Sequence, residues 1–185
     1  EVWYQASQLN RHVMEALRAA GLPAIALAPV SAVTSRDIRV SVWNLTPLRA
    51  ALDAGLLPVI YGDVIFDEVR GGTILSTEDL FAHLALELHP RRILLAGLEA
   101  GVWEDFPERT RLIARLDRQT YESLREGIGD SASVDVTGGM AAKVGQMFDL
   151  IRQVPGLTAC IFSAGEKRNL GRALAGDKVG TELVA

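Results

Sequence analysis

Apolar residues along the chain follow two spacings, one typical of amphipathic helices and one typical of buried strands. Spacings of three and four positions predict helices at 1–21, 47–55, 76–88 and 139–154. Uninterrupted apolar runs predict strands at 22–29, 56–62, 91–97 and 158–164. Buried strands that alternate with amphipathic helices predict an α/β fold, a three-layer α/β/α sandwich with a mainly parallel sheet.

Shorter patterns occupy the segments between these elements. Residues 63–75 predict a hairpin that turns at a Gly pair, and residues 107–129 predict one or two polar helices. Residues 30–46 fit a loop or short edge elements, and a tail punctuated by Gly closes the chain. The stretch 76-STEDL-80 has the Ser-x-x-Asp spacing of a capping box, which supports a helix start there.

The bulk composition limits the classes of partner. The chain has 185 residues, 49% hydrophobic and 23% charged, which suits one folded domain. A net charge of −4 disfavours nucleic-acid binding, and no apolar run reaches the ~20 residues of a membrane span. The single Cys160 lies in an apolar run, which favours an inert buried thiol in a cytoplasmic protein. The chain begins at Glu1 without Met or a helix cap, so we expect a preceding N-terminal segment.

The stretch 134-VDVTGGMAAKV-144 places two glycines at the predicted start of a helix. Gly138 and Gly139 lack a Cβ, so an anion can approach the backbone N–H groups that a helix start leaves free. Lys143 follows about one turn later, from where its ammonium can reach back over the helix start. The same pattern fits an ordinary turn followed by a helix with a surface lysine, and the pattern alone leaves both interpretations open.

Two other stretches combine a small or polar residue with an acid. Gly62 leaves room for a ligand at the end of a buried strand, and Asp63 can order loops or accept a hydrogen bond. A plain corner between a strand and a hairpin also explains this pair. Glu78 and Asp79 lie in the first turn of a predicted helix, where the helix dipole favours acids without any catalytic role. The alternative is a carboxylate that positions a catalytic lysine.

Together these stretches resemble the amino acid kinase superfamily, and most closely its isopentenyl phosphate kinases. The matching stretches extend over nearly the whole chain: 55-GLLPVIYGDVIFD-67, 71-GGTILSTEDLFAHLA-85, 135-DVTGGMAAKV-144 and 169-NLGRALAGDKVGT-181. The resemblance implies an ATP-dependent kinase that converts a small phosphate monoester, isopentenyl phosphate, to its diphosphate. It implies ATP and Mg²⁺ as cofactors without a protein metal site, a homodimer, and one incomplete domain with a substrate side at 1–90 and a nucleotide side at 91–185.

The resemblance also implies roles for individual residues. The substrate-binding residues would be Gly62, Asp63, Val64 and Thr77, the last at a position where the family has Gly. The ATP-binding residues would be Gly97, Gly101, Trp103, Gly138, Gly139 and Lys143. Lys143 would be catalytic because it stabilises charge on the transferring group, and Glu78 would be catalytic by holding the lysines in place.

Two departures from the family pattern bear on activity. The family's opening Lys-x-Gly-Gly-Ser loop, and the His that grips the substrate phosphate, are not in this sequence. Leu98 and Ala100 stand where the family has acids, while Gly101 and Trp103 keep the frame. The alternatives are therefore a kinase for another small phosphonate, carboxylate or amino acid, and a catalytically degenerate nucleotide-binding member.

Overall fold

The computed structural model of the chain describes residues 1–128 and 139–185. The helices are α1 Val2–Ala19, α2 Thr46–Asp53, α3 Thr77–Leu88, α4 Arg118–Ile128, α5 Gly139–Gln153 and α6 Asn169–Ala175, with a 3-10 turn at Pro29–Ser31. The strands are β1 Ala24–Ala26, β2 Val33–Arg36, β3 Arg39–Trp43, β4 Leu57–Val59, β5 Asp63–Asp67, β6 Gly71–Leu75, β7 Arg92–Gly97, β8 Val102–Trp103, β9 Leu112–Ile113, β10 Arg115–Leu116, β11 Thr158–Ser163 and β12 Thr181–Leu183. The chain divides into two compact units, an amino-terminal unit Glu1–Leu84 and a carboxy-terminal unit Ala85–Ala185.

The amino-terminal unit contains a four-stranded mixed sheet in the order β3-β2-β5-β6. β2 and β5 pair in parallel, whereas the β2–β3 and β5–β6 pairs are antiparallel. The β5–β6 pair is the hairpin predicted at 63–75, and the apolar runs 22–29 and 56–62 supply the parallel pair β1–β4. Residues 30–46 form more structure than a loop, because β2 lies inside the sheet and its Val33 is buried in the core.

Asp67, at the end of β5, is a buried carboxylate that holds two turns together. It accepts a hydrogen bond from the Ser35 hydroxyl at 2.7 Å. It also accepts hydrogen bonds from four backbone N–H groups, those of Asp37, Ile38, Val69 and Arg70. Burial acts to raise the pKa of Asp67, but these hydrogen bonds outweigh burial and hold that pKa well below its usual range.

The first helix forms where the apolar spacing predicts it, but its apolar stripe is not buried. α1 packs on β1 and β5, and yet none of its residues is buried within the described chain. Leu9 and Val13, two members of the predicted stripe, are 67% and 41% exposed. The period therefore predicted the helix correctly, and the apolar stripe of that helix is exposed within the described residues.

The carboxy-terminal unit contains a second mixed sheet, in the order β10-β12-β11-β7. β7 and β11 run parallel, as the two apolar runs indicate, and α5 packs on β11 and β12. The predicted inner face of α5 is confirmed, because its apolar members are buried: Val144, Met147, Phe148, Ile151 and the following Val154. Cys160 of β11 is half-buried, and its thiol donates to the Val179 carbonyl while burial raises the pKa of that thiol.

In the described part of this unit, five short elements have no counterpart among the predicted elements. β8 forms before the segment predicted as polar helices, β9 and β10 precede α4 within that segment, and α6 and β12 form within the predicted tail. The strands are two or three residues long, too short to show a period of two. Across the described residues four of the eight strand pairings are parallel, so both units are α/β with mixed sheets. No helix within 1–128 or 139–185 is long and apolar enough to span a membrane.

Candidate functional site

The corner between β4 and β5 meets the start of α3 through one glycine. The N–H of Gly62 donates to the Thr77 hydroxyl oxygen at 3.0 Å. A Cβ at position 62 would lie 3.1 Å from the Thr77 nitrogen and 3.2 Å from the Leu75 carbonyl oxygen. A side chain at position 62 would therefore be tight against this junction, and the close approach brings two predicted substrate-side residues into contact.

Asp63 is fully buried beside this corner, where it orders a neighbouring turn. Its carboxylate accepts the N–H of Val30 at 3.2 Å and the N–H of Val64 at 2.8 Å. These bonds tie the 3-10 turn to the start of β5, the loop-ordering role that the sequence left open. Burial, and then the negative charge of Asp63, raises the pKa of the neighbouring Tyr61 hydroxyl.

The first turn of α3 contains two acids, Glu78 and Asp79, and Asp79 is the one that caps the helix. Asp79 and Ser76 form the predicted capping box: Ser76 Oγ lies 2.7 Å from the Asp79 carboxylate, and the Asp79 N–H donates back to Ser76 Oγ at 3.0 Å. Asp79 thus belongs to the helix cap, the role that the helix start alone explains. Glu78 is half-buried and Thr77 beside it is exposed.

In the carboxy-terminal unit, the predicted glycines at the end of β7 differ in their surroundings. In the part of the chain that the structure describes, no atom lies within 4 Å of a Cβ built on Gly97, at the carboxyl end of β7, where ligands of parallel strands usually bind. A Cβ on Gly101 would lie 2.6 Å from Thr181 Oγ1. Packing against Thr181 therefore accounts for the glycine at 101.

Thr181 itself is a buried linking residue that sequence reasoning missed. Its hydroxyl is inaccessible to solvent, accepts the N–H of Val102 at 2.8 Å and donates to the Ile113 carbonyl at 2.5 Å. A single side chain of β12 thus fixes both strands of the β8–β9 hairpin. Trp103 belongs to this hairpin and directly follows Val102, one of the two residues that Thr181 binds.

Trp103 is held by an acid that sequence reasoning also missed. Its indole Nε1–H donates to Glu99 Oε2 at 3.1 Å, and Glu99 forms an ion pair with Arg109 at 3.1 Å. Leu98 and Ala100, on either side of Glu99, do not supply the family's acids, and Leu98 is 82% exposed. The nearest signal in the sequence was Glu99 itself, an acid between two apolar residues.

The start of α5 carries the remaining predicted residues. Gly139 is buried at the first position of α5 with φ of +69°, a conformation that favours glycine. Lys143 is half-buried one turn later on the same side of the helix. Gly138 lies outside the described residues.

A tyrosine from α4 fixes the first turn of α5. The Tyr121 hydroxyl donates to the Ala141 carbonyl at 2.9 Å, and the Tyr121 ring packs on Phe148 with centroids 5.3 Å apart. Tyr121 is almost fully buried. Because Lys143 follows Ala141 by two residues, this contact positions the backbone that carries Lys143.

A family comparison decides what these two sets of residues belong to. Residues 4–163 match the model of the amino acid kinase family. The chain belongs to the amino acid kinase family. The α/β fold class is thereby confirmed, together with the resemblance drawn from the three Gly- and acid-bearing stretches.

Curated relatives of this amino acid kinase family chain extend the comparison. It is 32% identical over 179 residues to isopentenyl phosphate kinase of Methanothermobacter thermautotrophicus, covering 95% of this chain and 66% of the relative. It is 34% identical over 180 residues to isopentenyl phosphate kinase of Haloferax volcanii, with the same coverage of 95% and 66%. The chain therefore spans about two thirds of the length of these curated relatives.

Solved structures agree with the family assignment. An isopentenyl phosphate kinase structure superposes with a TM-score of 0.77 at 28% identity, covering 96% of this chain and 66% of that one. An N-acetylglutamate synthase from Neisseria gonorrhoeae superposes with a TM-score of 0.70 at 18% identity, covering 98% of this chain and 45% of that one. The second likeness concerns the fold alone.

Proposed function

We propose that the protein transfers the γ-phosphoryl group of ATP to a small phosphate monoester, and specifically converts isopentenyl phosphate to isopentenyl diphosphate. The observation that supports this most is the identity of 32% and 34% to curated isopentenyl phosphate kinases over 95% of the chain. The solved isopentenyl phosphate kinase at 28% identity supports it further.

The substrate side of the proposed site consists of the corner around Gly62 and the start of α3. Gly62, Asp63 and Val64 would border the phosphate monoester, with Asp63 acting through the order it gives to the turn at Val30. Thr77 would lie next to the substrate, where its hydroxyl already accepts the Gly62 N–H. A residue that accepts this N–H competes with a phosphate oxygen for it, which makes Thr77 the residue that tunes substrate affinity.

The nucleotide side of the proposed site consists of the carboxyl end of β7 and the start of α5. Gly97, Gly101 and Trp103 would border the nucleotide, and Gly138 and Gly139 would approach its phosphates at the start of α5, where unpaired N–H groups favour anions. Lys143 would stabilise the charge that develops on the transferring group, and Glu78 would hold the lysines in place. Such kinases act by positioning and charge neutralisation.

Mg²⁺ and the remaining properties follow from the family resemblance. Among residues 1–128 and 139–185 no group of three His, Cys, Asp or Glu side chains could hold a metal ion. Mg²⁺ is commonly held through one or two carboxylates together with nucleotide phosphates, and we propose that it enters the site with ATP. We further propose a homodimer in the cytoplasm.

The decisive experiment measures ADP release by the full-length protein with MgATP. The acceptor panel contains isopentenyl phosphate, other small phosphate monoesters, a phosphonate such as fosfomycin, and N-acetylglutamate. We expect the highest kcat/KM with isopentenyl phosphate. A higher kcat/KM with the carboxylate or the phosphonate would contradict the proposed substrate.

The variant Lys143→Ala tests whether ADP release depends on the proposed catalytic lysine. We expect turnover about 100-fold lower, because one transition-state charge contact is lost. Lys178→Ala removes an exposed lysine of the same unit and should leave turnover within about twofold. Equal turnover of Lys143→Ala and the parent would remove Lys143 from the proposed mechanism.

A second candidate function is a family member with another substrate or with nucleotide binding alone. Two observations favour it: Leu98 and Ala100 replace the acids of the nucleotide-side segment, and the Thr77 hydroxyl engages the N–H of Gly62. Nucleotide binding without ADP release across the whole panel would establish this candidate in place of the first.

A further inference from the structure

The loop between β7 and β8 contains an acid that the family pattern does not assign. Glu99 is one of the less exposed charged side chains of this unit, with its side chain 14% accessible. It contacts two groups at once, the indole Nε1–H of Trp103 at 3.1 Å and the guanidinium of Arg109 at 3.1 Å. A carboxylate with two charged or polar donors at this distance is a strong orienting group.

Arg109 links this acid to the far end of the β8–β9 hairpin. Its guanidinium lies 5.3 Å from the centroid of the Phe106 ring, a cation–π distance, while it also pairs with Glu99. Asp105 closes the same loop by accepting the N–H groups of Thr110 and Arg111. Arg109 therefore connects the hairpin loop to Glu99, and Asp105 holds the two ends of the same loop together.

The consequence falls on the indole ring of Trp103. Trp103 sits in β8, whose preceding loop leaves the carboxyl end of β7 at Gly97, and its ring is only half-buried. A single hydrogen bond at Nε1 fixes the rotation of an indole about its side-chain torsions, because Nε1 is its one donor. A flat aromatic surface held in one orientation, on the strand that follows the carboxyl end of β7, is suited to stacking against a purine base.

We propose that Glu99 is a positioning residue for nucleotide binding: it orients the Trp103 indole as the stacking surface for the base, with Arg109 as the counter-ion that holds the carboxylate. This proposal rests on the proposed ATP-dependent function. It assigns to Glu99 the orienting role in the segment where Leu98 and Ala100 provide no acid. The ligand class is a nucleoside triphosphate or diphosphate with a purine base.

The test uses Trp103 as its own reporter. The 185-residue sequence contains three Trp residues, so Trp3→Phe and Trp43→Phe leave Trp103 as the only tryptophan of that sequence, and any tryptophan outside it is likewise replaced by Phe. MgATP and MgADP are titrated into the full-length protein in this background, and the change in Trp103 fluorescence gives a dissociation constant without any phosphoryl transfer. We expect saturable quenching by both nucleotides.

Variants at Glu99 then separate orientation from general stability. Glu99→Ala should weaken nucleotide affinity about tenfold, because the ring loses its fixed orientation. Glu99→Gln keeps an oxygen acceptor for the indole N–H but loses the charge that pairs with Arg109, so it should weaken affinity about threefold. Glu104→Gln, which neutralises an acid of the same hairpin that pairs with Arg111, should leave affinity within about twofold.

A double-variant cycle excludes a purely structural role. Trp103→Phe keeps a ring and removes the N–H, so Glu99→Ala should change nucleotide affinity by less than about twofold in that background, as measured by calorimetry. The KM for the phosphate acceptor should stay unchanged in all Glu99 variants. If Glu99→Ala does not fold by circular dichroism, the cycle of Glu99→Gln with Trp103→Phe carries the same comparison.

The outcomes distinguish this inference from the function on which it rests. Nucleotide affinity that falls in Glu99→Ala, with no ADP release from any acceptor, would keep the inference and overturn the proposed kinase reaction. ADP release with nucleotide affinity equal in Glu99→Ala and parent would keep the reaction and overturn the inference. Absence of nucleotide-dependent quenching in the parent, or additive effects of Glu99→Ala and Trp103→Phe, would also overturn the inference.

Discussion

Two glycine–threonine contacts, one in each unit, pair the same residue types in different surroundings. In the amino-terminal unit the Gly62 N–H donates to the hydroxyl of Thr77, which is exposed. In the carboxy-terminal unit Gly101 packs on Thr181, which is inaccessible and hydrogen-bonds two strands through one hydroxyl. An exposed N–H that loses its partner turns to water, whereas buried groups that lose theirs stay unpaired.

Because of this difference, the Gly62–Thr77 hydrogen bond can be replaced by one to water, whereas the hydrogen bonds of Thr181 cannot. Replacement of Thr77 leaves the Gly62 N–H in reach of water or of a ligand oxygen, so the fold tolerates variation there. Replacement of Thr181 leaves a buried donor, the Val102 N–H, and a partly buried acceptor, the Ile113 carbonyl, without this partner. The Gly101–Thr181 contact thus serves stability, whereas we propose that the Gly62–Thr77 contact tunes ligand affinity.

Gly101→Ala should have the largest effect on stability. The added Cβ would lie 2.6 Å from Thr181 Oγ1, so the hydroxyl must move away from its partners. We expect a loss of about 3 kcal/mol in the free energy of unfolding, measured by urea denaturation. Gly171→Ala, where an added Cβ meets no atom within 4 Å in α6, should be neutral or stabilise by up to about 1 kcal/mol. Equal stability of Gly101→Ala and the parent would contradict the proposed difference between the Gly62–Thr77 and Gly101–Thr181 contacts.

Thr181→Val removes the hydroxyl of Thr181 and leaves the volume of the side chain almost unchanged. The Val102 N–H and the Ile113 carbonyl lose their partner in a buried place, so we expect a loss of about 2 kcal/mol in the free energy of unfolding. Thr181→Ser keeps the hydroxyl and should lose only about 0.8 kcal/mol for the missing methyl group. A Thr181→Val protein as stable as the parent would show that the hydroxyl carries no stability.

Asp67→Asn tests whether the buried Asp67 carboxylate, rather than the contact at Gly62, stabilises the amino-terminal unit. The pKa of Asp67 is lowered on folding, so its contribution to stability is fully present above the unfolded pKa and is lost as the pH falls through the folded value. Asp67→Asn should lower the melting temperature at pH 7 and flatten its fall between about pH 5 and pH 2. Asp53→Asn, at an exposed position in α2, should leave the profile unchanged. Parallel profiles for Asp67→Asn and parent would contradict this assignment.

Thr77→Gly should have the smallest effect on stability and a selective effect on substrate affinity. If the proposed reaction holds, release of the Gly62 N–H should lower the KM for isopentenyl phosphate about threefold, with the KM for ATP unchanged. Thr77→Ser keeps the hydroxyl and should stay within about twofold of the parent. A higher KM in Thr77→Gly would mean that the Thr77 hydroxyl binds the substrate directly.

What the sequence predicts well is what depends on neighbouring positions. The capping box of Ser76 and Asp79 joins residues three apart, and the buried face of α5 repeats every three or four residues, so both are legible in the chain. β10 and β12 could not be predicted in this way. They are two and three residues long, and their pairing of Arg115 with Glu182 joins distant parts of the chain.

In the candidate site, too, the contacts among recognised segments could be predicted and those that form only after the hairpin has folded could not. The contact of Gly62 with Thr77 lies between two segments that the family resemblance had already singled out. Glu99 was passed over because the family pattern directs attention to positions 98 and 100. Its partners Trp103 and Arg109 come near it only after the hairpin has folded, so no local pattern contains the cluster.

The hydrogen bond from Tyr121 to the Ala141 carbonyl joins α4 to the first turn of α5. Tyr121 is almost fully buried, so little water competes for this bond, and its ring also packs on Phe148. The exposed side of α4 can therefore change in evolution without disturbing the backbone near Lys143, as long as this one side chain is kept.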